Sequence, residues 1–255
     1  MSDLDTKPLT HTPGITRPSK EILARLRALG TANAVGSLFR LGIRNAHIIG
    51  PTCWTPDRCI AGPALTLQFL PKREDLYDES EYADPERQLH RHVLYHTEPG
   101  DIVVVDARGD MSAGVFGEMM LTYFRGRGGA GIVIDGCVRD YGNIKQIDIG
   151  VWIRGVTPNF HTQTNLMPHA VNVPIACGGV TVMPGDIIVA DIDGAICVPA
   201  GMAEKLLQHA KTHHEWEDFT KIRLSEGGDL RRYYPLSDAA RPEYEEWKRK
   251  QGRTD

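Results

Sequence analysis

The residues with the clearest chemical potential stand together in Asp135-Gly-Cys-Val-Arg139-Asp140, at the end of the short apolar run Gly131-Ile-Val-Ile-Asp135. Arg139 offers a planar fork that matches a carboxylate. Asp140 offers a hard oxygen suited to a divalent cation. Side by side they suit a substrate that is both anionic and metal-chelating, such as a 2-oxo acid; the competing reading is that the two simply pair in a surface turn. A second element, Gly114-Val-Phe-Gly117-Glu118-Met119-Met120, precedes this one. A glycine inside a helical pattern costs about 1 kcal/mol relative to alanine, so Gly117 calls for a reason. That reason is either close approach of an anion to exposed N–H groups at a helix start or tight helix–sheet packing. Glu118 is a surface carboxylate, or an acid/base group beside a metal-bound water.

Other reactive types carry weaker patterns. His90, His92 and His96 form H-x-H-x3-H; without a following glutamate they read as a solvated or interfacial helix face rather than a metal pair. His213-His214 reads the same way. Cys137 lies beside the proposed site, but no base for it is identifiable. Asp106 and Asp110, flanking Arg108, read as turn caps, and Asp191 and Asp193 as hairpin residues. The five cysteines include no C-x-x-C pair, which argues against a zinc knuckle or a disulfide framework.

These residues need a scaffold of alternating strands and helices. Ser19 is a plausible N-cap for a helix to Leu29, with a second helix from Thr31 to about Leu41. Residues 59–69, 100–106, 131–135 and 151–155 read as strands. Residues 89–95, about 111–125 and 141–147 read as helices. The charged stretch 71–88 reads as a long surface loop. Pro99-Gly-Asp-Ile-Val-Val-Val-Asp106 recurs as Pro184-Gly-Asp-Ile-Ile-Val-Ala-Asp191, an echo too widely spaced for a solenoid. Asp193-Gly194 marks a hairpin, and a last helix runs from about Gly201 to Leu224. Such alternation predicts a layered α/β domain. The expected organisation is an N-terminal arm over 1–18, one domain with N-terminal helices over 19–227, and an extension over 228–255. The aromatics of that extension suggest that it docks on the chain itself or on a neighbour.

Composition sets the outer limits. The chain has 255 residues, 41% apolar and 24% charged, which excludes a disordered or collagen-like protein. With 29 Lys+Arg against 33 Asp+Glu the formal charge is -4. That balance argues against a dedicated nucleic-acid binder, though not against a local patch. No apolar run is long enough to span a membrane, and no secretory signal is visible at the N-terminus. A cytoplasmic setting is the expectation. Glycine, at 26 residues, is the one excess.

Taken together, Gly117-Glu-Met-Met120, Val133-Ile-Asp-Gly-Cys-Val-Arg139-Asp140 and Arg154-Gly-Val-Thr-Pro158 resemble the RraA-like family. That family includes the class II 4-hydroxy-4-methyl-2-oxoglutarate aldolases and the regulator of ribonuclease activity A. Ala61-Gly-Pro-Ala-Leu-Thr66, Gly185-Asp, Asp191-Ile-Asp-Gly194 and Val198-Pro199 also fit, so the resemblance covers roughly residues 20–225. It implies a swivelling β/β/α domain assembled into homotrimers or hexamers, with sites between subunits. It implies that Gly117, Glu118, Met119, Met120 and Arg139 hold the pyruvyl end of a 2-oxo acid. Asp140 is implied to hold Mg2+ or Mn2+, largely through waters, while Glu118 orients a water. A carboxylate from the last helix of an adjacent subunit is implied as well: Glu215, Glu217 or Asp218, with Glu217 favoured by spacing. The chemistry implied is metal-dependent carbon–carbon lysis, either retro-aldol release of pyruvate or decarboxylation of oxaloacetate. The alternatives are an RraA-type binding regulator of an RNA-processing enzyme, or a dehydratase or hydrolase of a sugar-derived keto acid on the same site. Two departures from short family members, residues 71–88 and the 228–255 tail, bear on the pocket or the subunit interface.

Overall fold

A computed structural model describes residues 12–77, 85–160 and 165–252. It divides into two compact units, residues 1–204 and 205–255. The first unit is mixed α/β. Its elements in chain order are α1 (Lys20–Leu29), α2 (Thr31–Arg40), β1 (Thr52–Cys53), β2 (Ile60–Pro71), α3 (Leu89–Tyr95), β3 (Ile102–Gly114), α4 (Glu118–Gly126), β4 (Gly131–Val138), α5 (Tyr141–Ile144), β5 (Gly150–Val156), β6 (Leu166–Val171), β7 (Ile175–Cys177), β8 (Val180–Val182), β9 (Ile187–Asp191) and β10 (Gly194–Val198).

Continuous β-branched runs are what strands buried on both faces require, and β2, β3, β4 and β5 lie parallel in that order at the centre of the sheet. The full path is β1-β5-β4-β3-β2-β9-β10, with β6 also on β2. Alternate residues face opposite ways. Leu65, Val103, Val105, Ile132, Ile134, Val151 and Ile153 pack against Leu89, Val93 and Leu94 of α3, Leu121 and Phe124 of α4 and Ile144 of α5. Ala64, Val104, Val133 and Trp152 pack the other way, against the β7–β8 hairpin, Ile188, Ala190 and Ala195. The layers are therefore helix, sheet and sheet. Residues 46–53 almost close the sheet: Cys197 and Ile48 are bonded to Ala46 and Ala195 respectively, and β1 then pairs with β5. The Trp152 indole N–H donates to the Asp191 carbonyl at 2.8 Å across that junction.

The sequence echo turns out to be a repeated turn. Asp101 accepts from the Glu98 N–H and Asp186 from the Met183 N–H, at 2.8 and 2.9 Å, and the strands that follow, β3 and β9, flank β2 on either side. Residues 12–18 of the arm are docked: Arg17 forks onto buried Asp101 at 3.0 and 2.8 Å, and Asn172 donates to the Pro13 carbonyl.

Several boundaries differ from the sequence expectation. The helix expected from Met111 starts only at Glu118, because β3 runs on to Gly114 through two register shifts and pairs Asp110 with Gly136 and Gly114 with Cys137. Gly117 is therefore the N-cap of α4, not an interior helix position. The helix expected over 141–147 stops at Ile144. In the β9–β10 hairpin Gly194 pairs with Asp191, so the turn residues are Ile192 and Asp193. Residues 78–84 of the expected surface loop lie outside the described residues; of the remainder, Pro85–Arg87 form a 3-10 turn and Tyr77 is buried. Among the described residues no helix is long and apolar enough to cross a membrane.

The second unit carries all but the start of α6 (Ala203–Ser225), with α7 (Leu230–Tyr233) and α8 (Arg241–Lys250). Phe219 is its centre, fully buried, with the rings of Tyr233, Tyr244 and Trp247 at 6.0, 5.7 and 5.9 Å. The tail aromatics thus dock on the chain's own last helix. This is why the compact units divide near residue 204 rather than at 227.

Candidate active site

Backbone pairing brings the two sequence clusters together. The Val115 N–H donates to the Cys137 carbonyl and the Arg139 N–H to the Phe116 carbonyl, both at 3.0 Å. Gly117 then opens α4 beside Arg139. A Cβ on Gly117 would lie 2.8 Å from the Asp140 carboxylate and 2.9 Å from Arg139 Nε. Its lack of a side chain is what lets both charged groups lie over the helix start, where the first N–H groups have no partner within the helix. Asp140 itself is in the left-handed region, φ 60°, a conformation that aspartate tolerates better than most residues.

A cavity of about 110 Å3 lies here, lined by Gly114, Val115, Gly117 to Met120, Arg139 and Asp140, with His90 and Phe160. Arg139 Nε is 3.4 Å from the Asp140 carboxylate, and both side chains are about half exposed. The guanidinium also stands over the Phe160 ring, 5.7 Å from its centroid. Asn143 Nδ2 donates to Glu118 Oε2 at 2.8 Å, fixing that carboxylate at the rim. Arg139 and Asp140 do pair, as the bland reading of the sequence had it, but they do so in the wall of a cavity.

A Gly117→Ala protein is expected to fold as stably as wild type, because the φ of -124° is open to alanine. The new methyl group displaces Asp140 and Arg139, so affinity for oxalate, a small dicarboxylate probe, is expected to fall about 10- to 100-fold. Calorimetric titration beside a thermal melt checks both halves.

Other sequence candidates lie elsewhere. Asp135 faces the opposite side of β4, buried, where it accepts from Arg154 and from the Gly178 N–H. Asp106 accepts from the Arg108 N–H, and Asp110 from the Ser112 and Ala113 N–H groups, so both cap turns. Asp191 does more than shape its hairpin, since it also caps α2 by accepting from Thr31. Burial pushes the Cys137 thiol up, away from the thiolate. Glu217 and Asp218 lie on α6 in the second unit, with side chains partly exposed; the Glu215 side chain is outside the described residues.

The expectation of a solvated or interfacial histidine face is corrected for His90 and His92, while His96, at the C-cap of α3, is exposed. His90 and His92 are buried, 3% and 7% exposed, because α3 is wedged between α4 and the sheet strands β2 and β6. His90 and Phe160 are the lining residues that sequence reasoning missed. Phe160 belongs to no periodic pattern, and the signal for His90 was its place among Leu89, Val93 and Leu94, a buried face rather than a wet one.

Comparison with known proteins bears on the family and the fold. A family model described as RraA-like, Aldolase/RraA, matches residues 31–197. The chain belongs to the RraA-like family. A protein of Halalkalibacterium halodurans named "Putative 4-hydroxy-4-methyl-2-oxoglutarate aldolase" is 40% identical over 118 residues, 46% of this chain and 55% of that relative. The chain thus spans little more than half the length of this curated relative. Streptomyces coelicolor RraAS2, described as an unusual member of the RNase ES inhibitor RraA protein family, is 39% identical with a TM-score of 0.74, over 83% of this chain and 100% of its own. An uncharacterized Pseudomonas syringae pv. tomato protein shares the fold at 24% identity, with a TM-score of 0.75 over 90% of this chain and 100% of its own.

Proposed function

We propose that this RraA-like protein is a carbon–carbon lyase that cleaves a 4-hydroxy-2-oxo acid to release pyruvate, and that it decarboxylates oxaloacetate by the same chemistry. The observation that carries the reading is the placement of Arg139 and Asp140 over side-chain-free Gly117, in one cavity with Glu118. Arg139 binds the substrate carboxylate through its fork, and the first N–H groups of α4 add a second positive pole. Glu118, oriented by Asn143, accepts the proton of the 4-hydroxyl, directly or through a water. Breaking the C3–C4 bond leaves a pyruvate enolate, whose negative charge develops against Arg139 and those N–H groups.

Asp140, with Glu118 in the same cavity, would hold Mg2+ or Mn2+. Among the described residues no group of three ligating side chains exists. Such an ion would therefore keep most of its waters, which is the ordinary habit of Mg2+. When bound it supplies Lewis-acid polarisation of the 2-oxo group. The family resemblance adds a homotrimer or hexamer in which Glu217 of a neighbouring copy completes the site.

The test is pyruvate release from oxaloacetate and from several 4-hydroxy-2-oxo acids, with Mg2+ and after chelation. Turnover is expected with the metal, falling at least about 100-fold without it. No turnover of any of these acids overturns the reading. The 39% identity to RraAS2 favours a second reading, a binding regulator of an RNA-processing enzyme. Inhibition of an RNase ES by this protein, together with absent pyruvate release, would establish it instead.

A further inference from the structure

We propose that Tyr141 is a positioning residue for the two carboxylates of this site, setting through its hydroxyl where Asp140 stands relative to Glu118; this rests on the metal-dependent reading for the cation that the two would share. Asp140 is the N-cap of α5, yet its side chain bonds none of the helix N–H groups. Its backbone carbonyl takes the Asn143 and Ile144 N–H groups instead, at 2.9 and 3.1 Å. The carboxylate is thereby left to the cavity wall. The left-handed backbone at Asp140, φ 60°, persists only where the surrounding structure over-determines it.

α5 cannot supply that constraint alone, because its four residues are far below the length at which a helix is stable by itself. Ile144, Asn143 and Tyr141 fasten it to the rest of the unit. Ile144 is fully buried in the core. Asn143 donates to Glu118, which links α5 to the other carboxylate. Tyr141, directly after Asp140, donates its hydroxyl to the Trp54 carbonyl at 2.7 Å, and its ring meets the indole edge to face at 4.9 Å.

Trp54 is a fixed point. Its N–H donates to the Val151 carbonyl at 2.8 Å, and the Val151 N–H donates to Thr55 Oγ1 at 2.9 Å. Residues 54 and 55 are thus clamped onto β5, and the Tyr141 hydroxyl ties the backbone beside Asp140 to that clamp. When the hydroxyl is lost, Ile144 and the ring contact keep α5 docked, but the turn at Asp140 gains freedom, and Glu118 shares it through Asn143. Arg139 is held differently: its N–H bonds the Phe116 carbonyl and its guanidinium stands over Phe160. The two carboxylates and the guanidinium are therefore positioned by separate parts of the fold, joined only by the long Arg139–Asp140 pairing of 3.4 Å.

The consequence is a separation of two binding properties. Partners that orient metal ligands from behind typically carry about 10- to 100-fold in metal affinity. The probes are Mn2+ alone, followed by the electron paramagnetic resonance signal of the free ion, and oxalate without metal, followed by calorimetry. Wild type is compared with Tyr141→Phe, which keeps the ring and loses the hydroxyl, and each protein is checked by its thermal melt. Tyr141→Phe is expected to bind Mn2+ about tenfold more weakly. Its affinity for metal-free oxalate is expected to stay within about twofold, and its melting temperature within a few degrees of wild type. Pyruvate release by Tyr141→Phe is expected to recover when Mn2+ is raised about tenfold.

Unchanged Mn2+ affinity in Tyr141→Phe overturns the proposal. So does an equal loss of Mn2+ and oxalate binding, which would show general loosening rather than positioning. Because both probes are read without bond cleavage, a wild type that binds Mn2+ tenfold more tightly than Tyr141→Phe but releases no pyruvate sinks the lyase reading and leaves Tyr141 as a positioning residue. Failure of wild type to bind Mn2+ overturns both the metal dependence and the role of Tyr141.

Discussion

An Arg139→Met protein is expected to release pyruvate about 100- to 1000-fold more slowly than wild type at subsaturating substrate, the usual loss when a donor aimed at developing negative charge is removed. The thioether side chain fills similar space without the fork. Arg139 is 41% exposed and its pairing with Asp140 is long, at 3.4 Å, so little stability is lost with it. The stacking over Phe160 contributes about 0.5–1 kcal/mol, and the melting temperature should fall by only a few degrees. Arg139→Lys keeps the charge but not the two parallel hydrogen bonds, and is expected to recover a minor part of the rate. Steady-state kcat/KM beside a thermal melt separates the two effects. An Arg139→Met protein as active as wild type would remove the carboxylate anchor on which the mechanism depends.

The largest effect on stability is expected at Trp152. Its ring is fully buried between the central sheet and the β7–β8 layer, and a Cβ on Gly150 would lie 2.4 Å from it, so backbone has been cleared to admit the indole. Trp152→Ala is expected to cost about 3–5 kcal/mol through lost burial and the cavity left behind, lowering the melting temperature by on the order of 10 °C. Trp152→Phe refills most of the space and loses the indole N–H bond to Asp191, at about 1 kcal/mol. Denaturant melts on the three proteins give the ordering. Equal stability of Trp152→Ala and Trp152→Phe would show that volume at this position does not matter and that the junction is held by other contacts.

The parallel core was legible because its strands are nearly continuous β-branched runs: 102–105 and 131–134 need no partner to be recognised. Gly117, Glu118, Arg139 and Asp140, which line one cavity, could be singled out as well, since the last two follow the second of those runs closely and the first two open the helix between the runs. The closure of the sheet was not legible. Residues 46–53 and β6 to β8 are short, and β7 and β8 alternate buried and exposed positions over only three residues each, too few for a period to emerge. The helix expected from Met111 failed for a different reason: Met111, Val115 and Met119 repeat at helical spacing, yet strand pairing of Asp110 and Gly114 with β4 wins over local propensity. His90 was misjudged because a histidine-rich segment looks wet, while its flanking Leu89, Val93 and Leu94 already marked the helix as wedged. The boundary between the two units could not be read from composition, since it falls inside one uninterrupted helix.

The central strands keep their ladder up to Val105 on β3 and Ile134 on β4, and beyond that level their mutual registers shift. Everything proposed to touch substrate from the sheet lies past that level. Below it, a change of one residue would turn a whole strand inside out; above it, the chain has already left strict alternation. Substitutions at the half-exposed Arg139 and Asp140 can therefore reshape what the rim recognises without entering the core, whereas Ala113, Val115, Phe116 and Val138 between them belong to it. One scaffold can diversify its chemistry at that rim while its folding instructions stay fixed beneath.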